Sequence, residues 1–177
     1  KAGPQPTFGP TVKAARPPPP ISGGTLLMAK DGVTAIAADP DRDRVSIVDV
    51  PGNKLLATIP LKLGDEPGRV VEDGARRVHV LLRRGGSVVT IDLATRAAIL
   101  KRAVCPAPRG IAYEPATDSI HVACVGGELV TLPAAGGSLT RFLRLDDDLR
   151  DVVLDGSNLY VTLFRSAEVI ALDAYGV

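Results

Sequence analysis

Residues 69–130 read RVVEDGARRVHVLLRRGGSVVTIDLATRAAILKRAVCPAPRGIAYEPATDSIHVACVGGELV. Two halves of this region are copies of one pattern: VVEDGARRVHVLLRRGGSVVTIDL lies over IAYEPATDSIHVACVGGELVTLP with a single one-residue gap. Val78-His79-Val80 falls on Ile120-His121-Val122, and Gly85-Gly86 falls on Gly126-Gly127. Val88-Val89-Thr90-Ile91 falls on Leu129-Val130-Thr131-Leu132. Self-similarity at a period of about 40 residues, in strand-like segments, marks a propeller or another repeat array.

The same cadence continues outward on both sides. Upstream, residues 25–29, 33–38, 45–50 and 55–61 read as short strands, separated by the turn signals Lys30-Asp31-Gly32, a polar loop at 39–43, and Pro51-Gly52-Asn53. Four antiparallel strands with tight connections make one meander, the content of a propeller blade. The second unit places strands at 69–71, 77–82, 87–93 and 98–104, and the third at 110–113, 119–123, 128–132 and 139–143. The fourth has strands at 151–154, 159–163 and 167–172 and lacks its last strand. The expected fold class is therefore all-β, a β-propeller with blades at 25–65, 66–107, 108–147 and an incomplete 148–177.

Two columns fix the register. Asp49, Asp92, Pro133 and Asp173 follow the apolar core of the third strand, spaced by 43, 41 and 40 residues. A short acceptor side chain there is expected to cap the following turn through backbone amides. Thr34, His79, His121 and Tyr160 form a second column on the second strand. No carboxylate or cysteine accompanies the two histidines at ligand spacing, so hydrogen bonding between neighbouring blades is expected in place of a metal site.

Composition narrows the function classes. Apolar residues make up 45% of the 177, mostly Val, Leu, Ile and Ala, whereas aromatics make up only 3%. That content suits buried strands and a sizeable core. The net charge of +1, from 21 basic and 20 acidic residues, gives no electrostatic reason to expect nucleic acid or an anionic membrane. No apolar run approaches the length of a membrane-spanning helix. The chain begins at Lys1 without an initiator Met, which suggests trimming or processing. Residues 1–24 stand apart, with seven prolines in the first twenty positions closed by Ser22-Gly23-Gly24. Such a tail favours polyproline II or disorder. It reads as a linker, as a ligand for an aromatic groove, or as a strap pinned by Phe8.

PRGIAYEPATDSIHVACVGGELVTLPA and DVVLDGSNLYVTLFRSAEVIALDA resemble the repeat of YVTN-type (YncE-like) bacterial β-propellers. The shared features are a Pro-x-Gly-Ile-Ala opening, a small polar turn, an aromatic-Val-Ala strand and a Val-x-Ile-Asp strand. Leu159-Tyr160-Val161-Thr162 stands in the signature place. The resemblance covers roughly residues 25–177, loosely in the first unit, and Pro133 replaces the Asp of the pattern. It implies a seven- or eight-bladed ring exported to the periplasm or cell surface, often accompanying c-type cytochrome or peroxidase-like modules. Four units fall short of such a ring, so the remaining blades are expected from another fragment or subunit. Closure by residues 11–14 as an added strand is the alternative.

Cys105 and Cys124 are the only cysteines, and neither lies in a Cys-x-x-Cys-His haem attachment. Any haem would therefore belong to an associated module. Cys105 precedes the first strand of the third unit and Cys124 ends the second, positions that an antiparallel pair brings to one end. A disulfide is expected if the chain folds back through Pro106-Ala107-Pro108, with two buried thiols as the alternative. A bridge would point to an oxidising compartment.

Arg109 and Arg150 sit at matching positions just before the innermost strands of their units, and Arg69 lies one place later. In a propeller these residues line one mouth of the central channel, where a ligand or partner loop docks. Three guanidiniums there suit a carboxylate or haem propionate. The alternative is ion pairing with Glu66, Asp148 and Asp151. Asp39-Pro40-Asp41-Arg42-Asp43 alternates carboxylates like a calcium loop, but lacks the Gly and Glu such a loop needs. The residues 146–148 read as a solvated acidic loop, and the Gly-Gly pairs as hairpin turns, since no helix follows them. A hydrolytic reading of the lactonase kind needs a metal or a histidine acid–base set converging on the channel, and the chain offers neither. Two readings remain: an exported binding or scaffolding propeller without its own catalytic centre, or the propeller portion of a haem-containing redox protein.

Overall fold

The computed structural model describes residues 24–173. Among them, all regular structure is β: four antiparallel sheets, each a meander in sequence order. The first blade holds β1 (Leu26–Met28), β2 (Thr34–Asp39), β3 (Arg44–Asp49) and β4 (Lys54–Pro60). The second holds β5 (Pro67–Glu72), β6 (Arg77–Leu82), β7 (Ser87–Asp92) and β8 (Ala97–Ala103). The third holds β9 (Pro108–Glu114), β10 (Ser119–Cys124), β11 (Glu128–Pro133) and β12 (Arg141–Arg144). The fourth has three strands, β13 (Leu149–Asp155), β14 (Asn158–Leu163) and β15 (Val169–Leu172). The tail 1–23, and with it the strand proposed at 11–14, lies outside the described residues.

The cores lie between sheets, and strand alternation shows how. In β6, Val78, Val80 and Leu82 enter a cluster with Ile36, Val45 and Ile47 of the first blade. Leu81, one residue out of phase, enters a cluster with Ile111, Ile120 and Val122 of the third blade. A strand buried on both faces is apolar at most successive positions, which is why β6 and β10 read as near-continuous apolar runs broken by His79 and His121. A third cluster joins Ala112, Ala123 and Leu129 to Leu149, Val152 and Val161 of the fourth blade. Each fully buried Leu or Ile contributes about 2 kcal/mol.

First strands of successive blades lie against one another, β5 against β9 and β9 against β13, whereas β4, β8 and β12 stand at the far edges of their sheets. This is the radial arrangement of a propeller. β8 is mostly exposed and carries Lys101 and Arg102, charges that discourage edge pairing. Hairpin turns close where the sequence signals them: Gly86 and Gly127 adopt φ of 61° and 92°, a region that costs glycine little. Asp92 caps its turn by accepting the Thr95 amide at 2.8 Å, the role expected of that column. The innermost strands start earlier than the apolar pattern indicates, at Pro67, Pro108 and Leu149, because Gly68-Arg69, Arg109-Gly110 and Arg150-Asp151 interrupt the apolar pattern after the first residue.

Candidate anion site on the innermost strands

Arg69, Arg109 and Arg150 converge on one cavity of about 200 Å³, whose lining also includes Thr25, Gly68 and Arg83. The arginines lie within the innermost strands rather than just before them: Arg109 and Arg150 are second in β9 and β13, and Arg69 is third in β5. Tight packing of these strands sets their spacing. A Cβ on Gly110 would meet the Asp151 Cα and the Val152 amide nitrogen at 2.8 Å, so only glycine lets β9 and β13 approach this closely.

The counter-charges are unevenly shared. Arg69 reaches from the second blade to the fourth and pairs with Asp151 at 3.0 Å. Burial raises the Asp151 pKa, against the opposing pull of Arg69. Glu66 lies 3.8 Å from Arg83 and 3.6 Å from Arg84. Asp148 instead faces Arg165, at 3.7 Å, and accepts its backbone amide. The expected pairings with Glu66, Asp148 and Asp151 are thus realised for Arg69 alone of the three predicted arginines. Arg150 stacks on the Phe164 ring, with its guanidinium carbon 4.5 Å from the centroid. Burial, then the neighbouring guanidiniums of Arg150 and Arg83, push the Arg109 pKa below its ordinary value. Buried Nε atoms of Arg83 and Arg109 have no hydrogen-bond partner. The arrangement can do one thing well: receive oxygen acceptors bearing negative charge.

Arg83 escaped the sequence reading because it follows β6 and belongs to no recurring column. Its signal was a gap. Pro67, Pro108 and Leu149 are equivalent, each 41 residues from the next, and the position after them is Gly68, then Arg109, then Arg150. Arg83 lies across Gly68, where a Cβ would meet its Cγ and Cδ at 3.1 Å.

The histidine column turns inward to its own blades rather than to its neighbours. His79 Nδ1 lies 3.0 Å from Thr90 Oγ1 and its Nε2 lies 3.2 Å from Asp73 Oδ2, all within the second blade. His121 repeats this with Thr131 at 3.0 Å and Glu114 at 3.3 Å. The carboxylate partners come from the turn or strand end six or seven residues earlier, a spacing that only the β5–β6 and β9–β10 hairpins bring together. Burial holds both histidines below the ordinary 6.5, against the pull of Asp73 and Glu114. Burial alone would raise Asp73, but His79, the Arg77 backbone and side chain, and the Ala75 amide outweigh it and hold it far below 3.8.

Cys105 and Cys124 form a disulfide, with Cα atoms 6.4 Å apart. Cys124 pairs with Pro108 across the sheet, and Ala107, at φ 51°, folds the preceding segment back. In the chain-entropy model a bridge closing a loop this short adds about 3 kcal/mol. Two of the three carboxylates of the 39–43 loop are engaged elsewhere: Asp39 with Arg42 and Arg44, Asp43 with the Gly64 and Glu66 amides at 2.7 Å. No group of three or more His, Cys, Asp or Glu able to hold a metal occurs among the described residues.

No family model matches the chain, and no curated protein matches it. Solved structures do. Kuenenia stuttgartiensis hydrazine synthase superposes with a TM-score of 0.76 at 20% identity, over 93% of this chain and 49% of that one. Dihydro-heme d1 dehydrogenase NirN gives 0.69 at 20% identity, over 88% of this chain and 36% of that one. The computationally designed Ika4 protein gives 0.69 at 13% identity, over 86% of this chain and 91% of that one. The shared feature is the β-propeller fold. This chain spans about half of the hydrazine synthase chain and about a third of the NirN chain.

Proposed function

We propose that this chain supplies the blades 25–65, 66–107, 108–147 and 148–177 of a larger exported β-propeller of YVTN type, a binding or scaffolding module without its own catalytic centre. Its channel mouth receives an anionic group of a ligand or partner through Arg69, Arg109 and Arg150. The observation that carries this reading is Arg109: a half-buried guanidinium on an innermost strand, lining the cavity with two more cations beside it and no carboxylate within ion-pairing distance among the described residues. Folding has concentrated positive charge there at a cost that an anion would offset. The disulfide supports export, since such bonds persist in oxidising compartments.

Titration of the intact protein with acetate, succinate and citrate tests the mouth. Binding should weaken with added salt and be lost in Arg109→Ala/Arg150→Ala, whose melting temperature should shift little because both side chains are partly exposed. A large fall in melting temperature with unchanged binding would make the arginines structural instead.

A second reading is that the ring belongs to a haem-containing redox protein with the chemistry outside this chain. The observation favouring it is the fold shared with dihydro-heme d1 dehydrogenase NirN. The purified native complex would then show a Soret band, and a featureless visible spectrum would exclude it.

A further inference from the structure

We propose that the mouth selects a doubly charged tetrahedral oxyanion, a phosphoryl group, and that Arg83 supplies the guanidinium that its blade lacks at Gly68. This rests on the reading of the mouth as an anion site and specifies what it takes.

Charge comes first. Asp151 pairs with Arg69, and Glu66 is divided between Arg83 and Arg84; Arg109 and Arg150 have no carboxylate within ion-pairing distance among the described residues and feel only the longer-range fields of Glu66 and Asp148, and of Asp151, respectively. A single carboxylate leaves one of these two charges uncompensated, whereas a phosphoryl dianion balances both. Geometry agrees. Guanidiniums arrive from three blades around about 200 Å³ of space. A carboxylate offers two oxygens, enough for one bidentate partner with a second shared, while a phosphoryl group presents three or four in different directions. The volume lies below the roughly 300 Å³ at which small-molecule pockets begin. A space of this size among the arginines suits one such group.

Arg83 holds its position for a legible reason. Where the third and fourth blades place arginine second on the innermost strand, the second blade has Gly68, and Arg83 lies over that glycine. Gly68 is not among the positive-φ glycines, so the backbone there accepts a side chain once Arg83 is shortened. The substitution at one position is thus made good by a neighbouring hairpin.

Calorimetry on the intact protein with inorganic phosphate, glycerol phosphate and acetate decides the matter. Phosphate or glycerol phosphate should bind more tightly than acetate, and the tighter of the two identifies free anion or phosphomonoester as the source. Arg83→Ala should weaken phosphate by about tenfold, the loss of one charge-assisted contact, and Gly68→Arg added to Arg83→Ala should restore it. If the double variant does not fold, Arg83→Lys decides, because it keeps the charge but loses the fork and should remain weakened. Acetate binding as tightly as phosphate, with both lost in Arg109→Ala/Arg150→Ala, would overturn the phosphoryl assignment and leave the mouth reading standing. Unchanged phosphate affinity in Arg83→Ala would overturn the role of Arg83. No binding of any anion, by contrast, would remove both.

Discussion

His79 and Asp73 are both fully buried, and each is intelligible only through the other. Removing water from a carboxylate and an imidazole is costly, and the cost is met by closing every bond: Thr90 on one ring nitrogen, Asp73 on the other, and Arg77 on Asp73. The groups facing His79 are Asp73, Arg102 and Arg77, and those facing His121 are Glu114 and Arg141. Both histidines sit below their ordinary 6.5 when folded, so the unfolded chain binds more protons as the solution acidifies. Their contribution is complete above pH 6.5 and shrinks as pH falls below it. Asp73, depressed from 3.8, acts with the same sign at lower pH, since it loses its contribution only as pH falls through the acid range. The melting temperature should therefore decline from about pH 6.5 downward. His79→Gln with His121→Gln should lower it at neutral pH and flatten the slope between about pH 6.5 and 5. An unchanged slope in a thermal-melt series would mean that neither histidine titrates on unfolding in that window.

Among the elements, the innermost strands carry both packing and site. β9 fits against β13 only because Gly110 has no side chain, and that fit sets Arg109 beside Arg150. Gly110→Ala would drive a methyl group into the Asp151 and Val152 backbone, which has no flexible side chain to yield, so about 2–3 kcal/mol should be lost. Phosphate affinity should fall along with it, as a urea melt and a titration on one preparation would show. A destabilised variant with intact affinity would uncouple the strand contact from the site. These relations mark the limit of sequence legibility. The blades were readable because apolar alternation and turn residues are local and recur. The matching placement of Arg109 and Arg150 was readable because the repeat aligned them. The placement of Arg83 beside them was not, because it depends on the space above Gly68 in an adjacent strand. The carboxylate partners of the histidines were hidden for a similar reason: a hairpin, not sequence proximity, brings Asp73 to His79 and Glu114 to His121.

At the scale of the whole molecule, the two terminal blades differ from those between them. The second and third blades are buried on both faces, while the first and fourth are each buried on one. On the open face of the first, Leu26, Met28 and Leu55 are 67%, 49% and 58% exposed, beside Ala35 and Val48. On that of the fourth, Val153 and Val169 are 43% and 61% exposed, beside Tyr160 and Ala171. The equivalent faces of the inner blades supply the cores that hold the fold together, so these two surfaces have the chemistry of interiors without a covering. β15 adds an edge with no further strand on it among the described residues. Such surfaces are satisfied when further blades pack on them, which is the reading of a larger ring. Residues 1–177 alone should then self-associate, and light scattering with a urea melt would show large or mixed species unfolding without a single sharp transition. Adding the remaining blades, in the same chain or from a partner, should return a monodisperse particle. A monodisperse monomer of residues 1–177 that unfolds in one cooperative step would instead mean that four blades suffice, and the larger ring would have to be abandoned.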